Sequence, residues 1–253
     1  MRMSQRWKLL STLSLVLLSG CPAPPRLPTP ATPPSAAPTV PSVPAPHVGT
    51  PFEILPQSSL LTILVYRGGT LASAGHNHVI ASHDLSGAIF VPAEILQSSF
   101  ELHIPVATFT VDEAALRAQQ SAADFPADVS AGAKEGTRHN MLGEALLDAQ
   151  RSPEIVLRSL KLEPVGTAST DSGTVQAQVQ SSVRGQLRSF TVPVRYRLAG
   201  NGTLEVSGEL QLRQSELGLT PFSALLGALQ VKDEMQVSFH IVARRAASKV
   251  GSR

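Results

Sequence analysis

The chain has 253 residues, with 21 Lys and Arg against 19 Asp and Glu and a formal net charge of +2 with histidine neutral. This near balance, without a stripe of basic residues interleaved with aromatics, argues against a nucleic-acid-binding protein. The single cysteine, Cys21, excludes an intrachain disulfide, so we expect stability to come from a packed apolar core.

Residues 1–21 have the pattern of a secretory signal that ends in a lipidation site. Three basic residues precede an apolar run from Leu9 to Leu18, which is too short to span a bilayer, where a helix needs about 20 residues. The run ends in LSGC, residues 18–21, which is similar to the cleavage box of bacterial lipoproteins. We therefore predict lipidation at Cys21, attachment to the outer membrane and a domain in the periplasm. An ordinary signal peptide with an incidental cysteine is the alternative.

The next segment is rich in proline, with 13 of the chain's 20 prolines between residues 22 and 56. Proline has no backbone N–H to donate and favours an extended polyproline conformation. We predict a semi-rigid tether over residues 22–57, one globular domain over residues 58–246 and a flexible tail over residues 247–253. A PxxP ligand for another protein is a less favoured interpretation of the tether.

The globular part alternates apolar and polar residues with period two, as strands with one buried face do. The clearest alternations predict an antiparallel meander of four strands at Val175–Arg184, Phe190–Leu198, Leu204–Arg213 and Met235–Arg244. Four earlier strands are predicted at Leu60–Arg67, His78–Val91, Phe100–Val106 and Glu154–Glu163. Eight such strands either close into a barrel or stack as a sandwich.

One long interruption of this pattern, residues 111–151, predicts an inserted helix. Met141, Leu142, Ala145 and Leu146 have helical spacing, and we expect the helix over Ala133–Ala149. A second, short helix is predicted after Pro221, over Phe222–Leu226.

The order of these segments resembles the YceI-like family of bacterial periplasmic proteins. The resemblance extends over about Leu60 to Ala243 and rests on GAIFV (87–91), HNMLGEALLDAQRSPEI (139–155), VRGQLRSFTVPV (183–194), GELQLRQSELGL (208–219) and VKDEMQVSFHIVA (231–243). It implies an all-β fold, an eight-stranded lipocalin-like barrel with one inserted helix and a short second helix. It also implies binding of polyisoprenoids or other long-chain amphiphiles.

The inward faces of the last four strands are the predicted ligand-binding surface. They carry Val192, Val194, Tyr196, Leu204, Val206, Leu210, Val237 and Phe239. For any one of these residues a plain core position is the alternative, but a barrel with no filling helix leaves a cavity. Burial of an isoprenoid tail at ~25 cal/mol per Å² would supply several kcal/mol. We therefore expect non-catalytic binding of a polyisoprenoid, an isoprenoid quinone or another lipid, without a cofactor.

Histidines cluster at the start of the second predicted strand. His76 and His78 alternate, so their side chains point to one face. We interpret them as a polar rim of the barrel, where His and Asn satisfy backbone groups in a turn. The alternative is a metal-binding or redox-accessory protein, because His-x-His can hold zinc and a third ligand is available from His83, Asp84 or His139.

Signals for catalysis are weak. The chain has no G-x-S-x-G motif for an esterase and no glycine-rich phosphate loop followed by a helix. Glu205 and Glu209 are predicted on a solvent-facing side of their strand, which disfavours a glycosidase. A passive envelope module, in which the barrel is only a scaffold for a protein partner, is the remaining alternative.

Overall fold

A computed structural model describes residues 47–247. The predicted signal, Cys21, most of the tether and nearly all of the tail lie outside the described residues. The described chain forms twelve strands: β1 Thr50–Ile54, β2 Leu60–Gly68, β3 His78–Ser82, β4 Ser86–Val91, β5 Ser99–Pro105, β6 Thr110–Val111, β7 Glu154–Pro164, β8 Ser172–Val183, β9 Gln186–Leu198, β10 Thr203–Arg213, β11 Ser223–Ala224 and β12 Leu229–Arg245. Two α-helices are present in this range, α1 Ala114–Arg117 and α2 Ala131–Leu142.

None of the helices formed by residues 47–247 has the length and apolar character needed to cross a membrane.

Eight strands close into an antiparallel barrel, as predicted. The ring runs β1-β4-β5-β7-β8-β9-β10-β12 and closes because β1 pairs with both β12 and β4. Phe52 of β1 lies opposite Arg245 on β12 and Ile89 on β4, and its side chain is fully buried. The wall is extended at the other end of β12 by β2, β3 and β6.

The closing strand lies where the sequence predicted a tether. Residues 50–54, TPFEI, were assigned to the proline-rich segment, but Phe52 and Ile54 alternate with exposed residues and are buried. The domain boundary predicted at residue 58 is therefore too late. The predicted strand over His78–Val91 is also interrupted, because residues 83–85 leave the ladder between β3 and β4.

Both helix predictions need correction. Helix α2 ends at Leu142 rather than at Ala149, since Gly143 adopts an extended ψ of 165° and turns replace the helix after it. The second predicted helix, Phe222–Leu226, is absent from the described chain: strand β11 and a short 3₁₀ turn stand there instead. Leu225 and Leu226 have φ angles of 51° and 55°, which a right-handed helix cannot accommodate.

The strands bury one face toward the barrel interior, with β3 as the exception. In β8 the inward side chains Val175, Ala177 and Val179 are buried, and polar residues alternate with them. All five residues of β3 are buried because residues from 112 to 130 pack on its outer face. There a small external core forms around Val79, Ala81, Leu116 and Phe125. This packing brings α2 across one end of the barrel.

Candidate functional site

The barrel interior holds two adjoining apolar cavities. The narrow cavity has a volume of about 150 Å³, and the wide cavity, at the end covered by α2, about 430 Å³. Five side chains line both and form what we call the waist: Leu61, Ile104, Leu157, Phe190 and Val237. Ligand pockets in proteins have volumes of about 300–1,000 Å³. The wide cavity is within this range even without the narrow cavity.

The eight predicted lumen residues all line the narrow cavity. Val192, Val194 and Tyr196 alternate on β9, while Leu204, Val206 and Leu210 lie on β10 and Val237 and Phe239 on β12. These side chains point inward, as the sequence predicted, because the period-two alternation of a strand determines which side chains share a face. Their contact with a ligand stays a prediction.

The other half of the narrow cavity comes from residues that sequence analysis did not single out. They are apolar side chains of the earlier strands and connections: Leu85, Ile89, Val91, Ile95, Phe100, Leu102, Leu162 and Val175. A sequence signal for these residues exists, since Ile89 and Val91 are apolar positions two residues apart. It is weak because β4 and β5 are short and the alternation covers few residues. In the ring order, β4 and β5 lie across the barrel from β9 and β10, so Ile89 and Phe100 face the predicted set.

The wide cavity differs by having polar groups at its edge. Helix α2 contributes small and polar side chains, Ala133, Gly136, Thr137 and Asn140, together with Met141. Other polar lining residues are Arg67, His76, His78, Gln214 and Gln230. Ser130 caps the helix by accepting a hydrogen bond from the Ala133 N–H at 3.2 Å, which fixes where α2 begins. The sequence predicts this helix but not its position over the barrel end.

His76 and His78 both face the wide cavity, but they are not equivalent. Their ring centroids lie 6.1 Å apart, yet His76 is exposed and His78 is buried. The Nδ1 atom of His78 lies 2.7 Å from Asp112 Oδ2, and Nε2 lies 3.0 Å from the Thr137 hydroxyl. Only His76 is therefore free to meet a ligand with both ring nitrogens.

Asp112 is the centre of a buried polar network. Its other oxygen, Oδ1, accepts hydrogen bonds from the Val79 N–H at 2.9 Å and from Arg117 at 2.6 Å. Burial by itself would raise the pKa of the Asp112 carboxyl. The hydrogen bonds from His78 and Val79, with the charges of His78 and Arg117, outweigh burial and hold this pKa below its usual value.

The network ties the turn before β3 to the segment that leads to α2. Arg117 also donates to the backbone carbonyls of Asn77 and Pro126, at 2.9 and 2.7 Å. Asn77 accepts from the Arg67 N–H and donates to the Asp124 carbonyl, both at 2.9 Å. This is the structural role, satisfying backbone groups in a turn, that the sequence indicated for Asn and His here.

The chain Asp112–His78–Thr137 has the order of a carboxylate, imidazole and hydroxyl relay. Thr137 lies inside α2, however, where the neighbouring backbone N–H groups make helical hydrogen bonds and are not available to stabilise an oxyanion. Asp112 is also engaged by Arg117 and Val79. The geometry supports a structural and ligand-facing role for this chain.

The proposed metal ligands are not brought together. Within residues 47–247, no three His, Cys, Asp or Glu side chains lie close enough to share a metal ion. His83 instead approaches Glu113 at 3.1 Å on the outer surface, and Asp84 and His139 are exposed. His78 has both nitrogens engaged within the protein.

The remaining histidines lie away from the cavities. His47 stacks on Phe90, with ring centroids 4.2 Å apart, and His103 lies between Glu154 and Glu101 at 3.0 Å from each. Hydrogen bonding to Glu154 raises the pKa of His103 despite partial burial, with Glu101 adding to the effect. His240 is exposed on β12.

Comparison with known proteins agrees with this architecture. The family described as YceI-like domain matches residues 69–243. Among solved structures, BcnA of Burkholderia cenocepacia has a TM-score of 0.53 and 19% identity, over 75% of this chain and 98% of that chain. At this identity the likeness shows the fold alone.

Two further solved structures are similar over much of the chain. A polyisoprenoid binding domain from Saccharophagus degradans has a TM-score of 0.49 and 11% identity, over 77% of this chain and 98% of that chain. The YceI protein of Campylobacter jejuni has a TM-score of 0.43 and 10% identity, over 65% and 82%. The search of curated proteins gave no match.

Proposed function

Because the chain belongs to the YceI-like family, we propose that its barrel binds a long-chain amphiphile such as a polyisoprenoid, an isoprenoid quinone or another lipid, without catalysis. The observation that carries the proposal is the pair of adjoining cavities. An apolar space inside the barrel adjoins, at the waist, a wider space that polar side chains also line. This polarity matches a molecule with an apolar chain and a polar head.

The two cavities suggest how the ligand is oriented. The apolar chain lies in the narrow cavity, against Val206 and Phe239, and passes the waist. The polar head lies in the wide cavity, where His76, Thr137 and Asn140 offer hydrogen-bonding groups. Burial of the chain drives binding at ~25 cal/mol per Å² of apolar surface, and the polar groups select the head.

The N-terminal segment is the basis for a proposed place of action. We propose that Cys21 carries the lipid anchor of an outer-membrane lipoprotein and that the barrel works in the periplasm. The support is the LSGC sequence at residues 18–21, after an apolar run. Stable anchoring takes two or more acyl chains, which a lipidated N-terminal cysteine supplies. Cys21→Ser should release the protein from the membrane fraction, and retention would contradict this part of the proposal.

Mass spectrometry of an organic extract tests the binding proposal directly. The full chain, purified from its own membranes, should release one class of amphiphile at close to one molecule per chain. Val206→Phe fills the narrow cavity and should lower this yield several-fold. Gln211→Phe, an exposed position on the same strand β10, is the matched control and should retain the ligand. Equal yields from the two variants would refute binding in the lumen.

A further inference from the structure

We propose that a hairpin beside the wide cavity docks the barrel on a lipid bilayer, with Leu225 and Leu226 inserted among the lipid chains. We call this hairpin, residues 222–230, the tip. The inference rests on the proposed function, because it names the surface from which the amphiphile would enter the cavity.

The tip presents two leucines to solvent in a constrained backbone. Leu226 is fully exposed, with a relative accessibility of 109%, and Leu225 is 67% exposed. Both have left-handed backbone angles, at φ 55° and 51°. This conformation is unfavourable for a residue other than glycine and persists only where the surrounding structure holds it. Because the backbone holds both leucine side chains in solvent, we infer that they contact an apolar partner.

The tip is held in place by backbone hydrogen bonds. Ser223 and Ala224 of β11 pair with Gln230 and Leu229 of β12. The N–H of Leu71 donates to the Ala228 carbonyl at 2.7 Å, which joins the tip to the segment 68–75. Leu71 is itself 45% exposed. Three exposed leucines therefore lie on one small surface.

This surface continues into the wide cavity. Phe222, Leu229 and Gln230 at the base of the tip line the cavity, as does Gly75 of the adjoining segment. A long apolar molecule is nearly insoluble in water, so transfer is favoured when the cavity opening faces the hydrocarbon region. The tip would bring the opening there.

The charge pattern favours a bilayer over water. Segments 68–75 and 219–231 contain no Asp, Glu, Lys or Arg. The charged residues that bound them are of both signs: Arg67 and Lys232 on the strand side, with Asp233 directly after Lys232, and Glu216 before residue 219. An uncharged apolar tip matches the hydrocarbon region of a bilayer, because charged side chains are costly there.

The size of the surface argues against a stable protein partner. A specific protein interface buries about 800 Å² on each side, which three leucine side chains cannot supply. Shallow insertion of a loop needs only a few apolar side chains, since each buried CH₂ contributes about 0.8 kcal/mol.

The chain outside the structure is long enough to allow this orientation. The tip includes the first residue of β12, Leu229, whereas the chain enters the barrel at β1, beside the last residue of β12, Arg245. Strand β12 spans roughly 55 Å at ~3.3 Å per residue. Residues 22–49 reach roughly 85 Å when extended at ~3.1 Å per residue. A barrel anchored at Cys21 can thus turn its opposite end to the same membrane.

Site-specific tryptophan fluorescence tests the proposal in the full chain. In a Trp7→Phe background, Leu226→Trp reports on the tip, and Leu160→Trp is the control at a 46% exposed leucine on β7. With vesicles of phosphatidylethanolamine and phosphatidylglycerol, Leu226→Trp should shift to shorter wavelength and be quenched by brominated acyl chains. Leu160→Trp should show neither change.

Equal quenching at the two positions, or none at Leu226→Trp, overturns the proposal. A signal that appears only with a membrane-protein fraction, and not with pure lipid, would assign the tip to a protein partner and also overturn it. Failure of the proposed function is distinguishable, because it shows as an empty organic extract whatever the fluorescence does. Leu225→Ser with Leu226→Ser should weaken vesicle insertion of the tip by about tenfold or more.

Discussion

The Nδ1 atom of His78 and the Oδ2 atom of Asp112 lie 2.7 Å apart in a site where both side chains are buried. They are 34 residues apart in the chain. Arg117 donates a hydrogen bond to the other carboxylate oxygen at 2.6 Å, so the Asp112 carboxylate orients both His78 and Arg117. This network fixes His78 and leaves His76 as the histidine that is open to the wide cavity.

Removal of the Asp112 carboxylate should destabilise the domain strongly. In Asp112→Ala, Arg117 keeps a buried charge without its anion, and we expect a loss of about 3–5 kcal/mol in the free energy of unfolding. Glu113→Ala is the control, since it removes only contacts near the surface, the pair with His83 and a hydrogen bond from the Thr110 hydroxyl, each worth about 1 kcal/mol or less. Denaturant unfolding of both variants measures the difference, and similar losses would contradict the central role of Asp112.

The same carboxylate should make stability depend on acid pH. Because the pKa of Asp112 is lowered in the folded protein, its ionised form stabilises the fold above the ordinary value of about 4. This contribution is lost as the pH falls through the folded-state pKa. The stability advantage of the wild type over Asp112→Asn should therefore be constant near neutral pH and shrink below about pH 4. An advantage of unchanged size at pH 3 would show that the charge of Asp112 does not contribute.

Gly208 supports the shape of the narrow cavity. A Cβ at this position would lie 2.5 Å from the Phe239 ring and 2.5 Å from the Pro193 carbonyl oxygen. Gly208→Ala should therefore displace Phe239 into the cavity, with a loss of about 1–3 kcal/mol from overpacking and a lower ligand yield. Gly200→Ala is the matched control, because no atom lies within 4 Å of its Cβ. Thermal unfolding and ligand extraction together check this; equal behaviour of the two variants would contradict it.

His76 should affect the choice of ligand more than stability. Its exposed ring faces the wide cavity, so His76→Ala should weaken retention of the natural amphiphile about 2- to 10-fold, the effect of one hydrogen bond of ~0.5–1.5 kcal/mol. His139→Ala, on an exposed part of α2 that does not line the cavity, should leave retention unchanged. Competition between ligands with and without a polar head measures the effect. If both ligands lost the same affinity in His76→Ala, the His76 side chain would contact the apolar chain rather than the polar head.

The strands and their inward faces were predictable because long strands repeat their pattern many times, whereas closure into a barrel rather than a sandwich was implied by the resemblance to the YceI-like family. On β9 and β10 the alternation covers more than ten residues, and one shift of register would turn every apolar side chain outward. Local pattern alone was therefore enough to place Val192 and Val206 on the cavity wall.

The partners of His78 were not predictable from local pattern. Asp112 and Thr137 reach it only through the path of the chain outside β3 and across the barrel end. The closing strand was missed for a different reason. Pro51 made residues 50–54 look like the tether, although the beginning of a strand tolerates proline and the alternation of Phe52 and Ile54 was present.

The seam of the barrel is also the place where the chain enters it. β1 supplies the closing hydrogen bonds to β12 and β4, and its first residue follows directly on the preceding linker. A pull on the chain that precedes Thr50 would therefore act on β1 and would separate this strand from β12 and β4, starting at Thr50. The wall would thus open first at the narrow-cavity end, where Thr50 pairs with Val91.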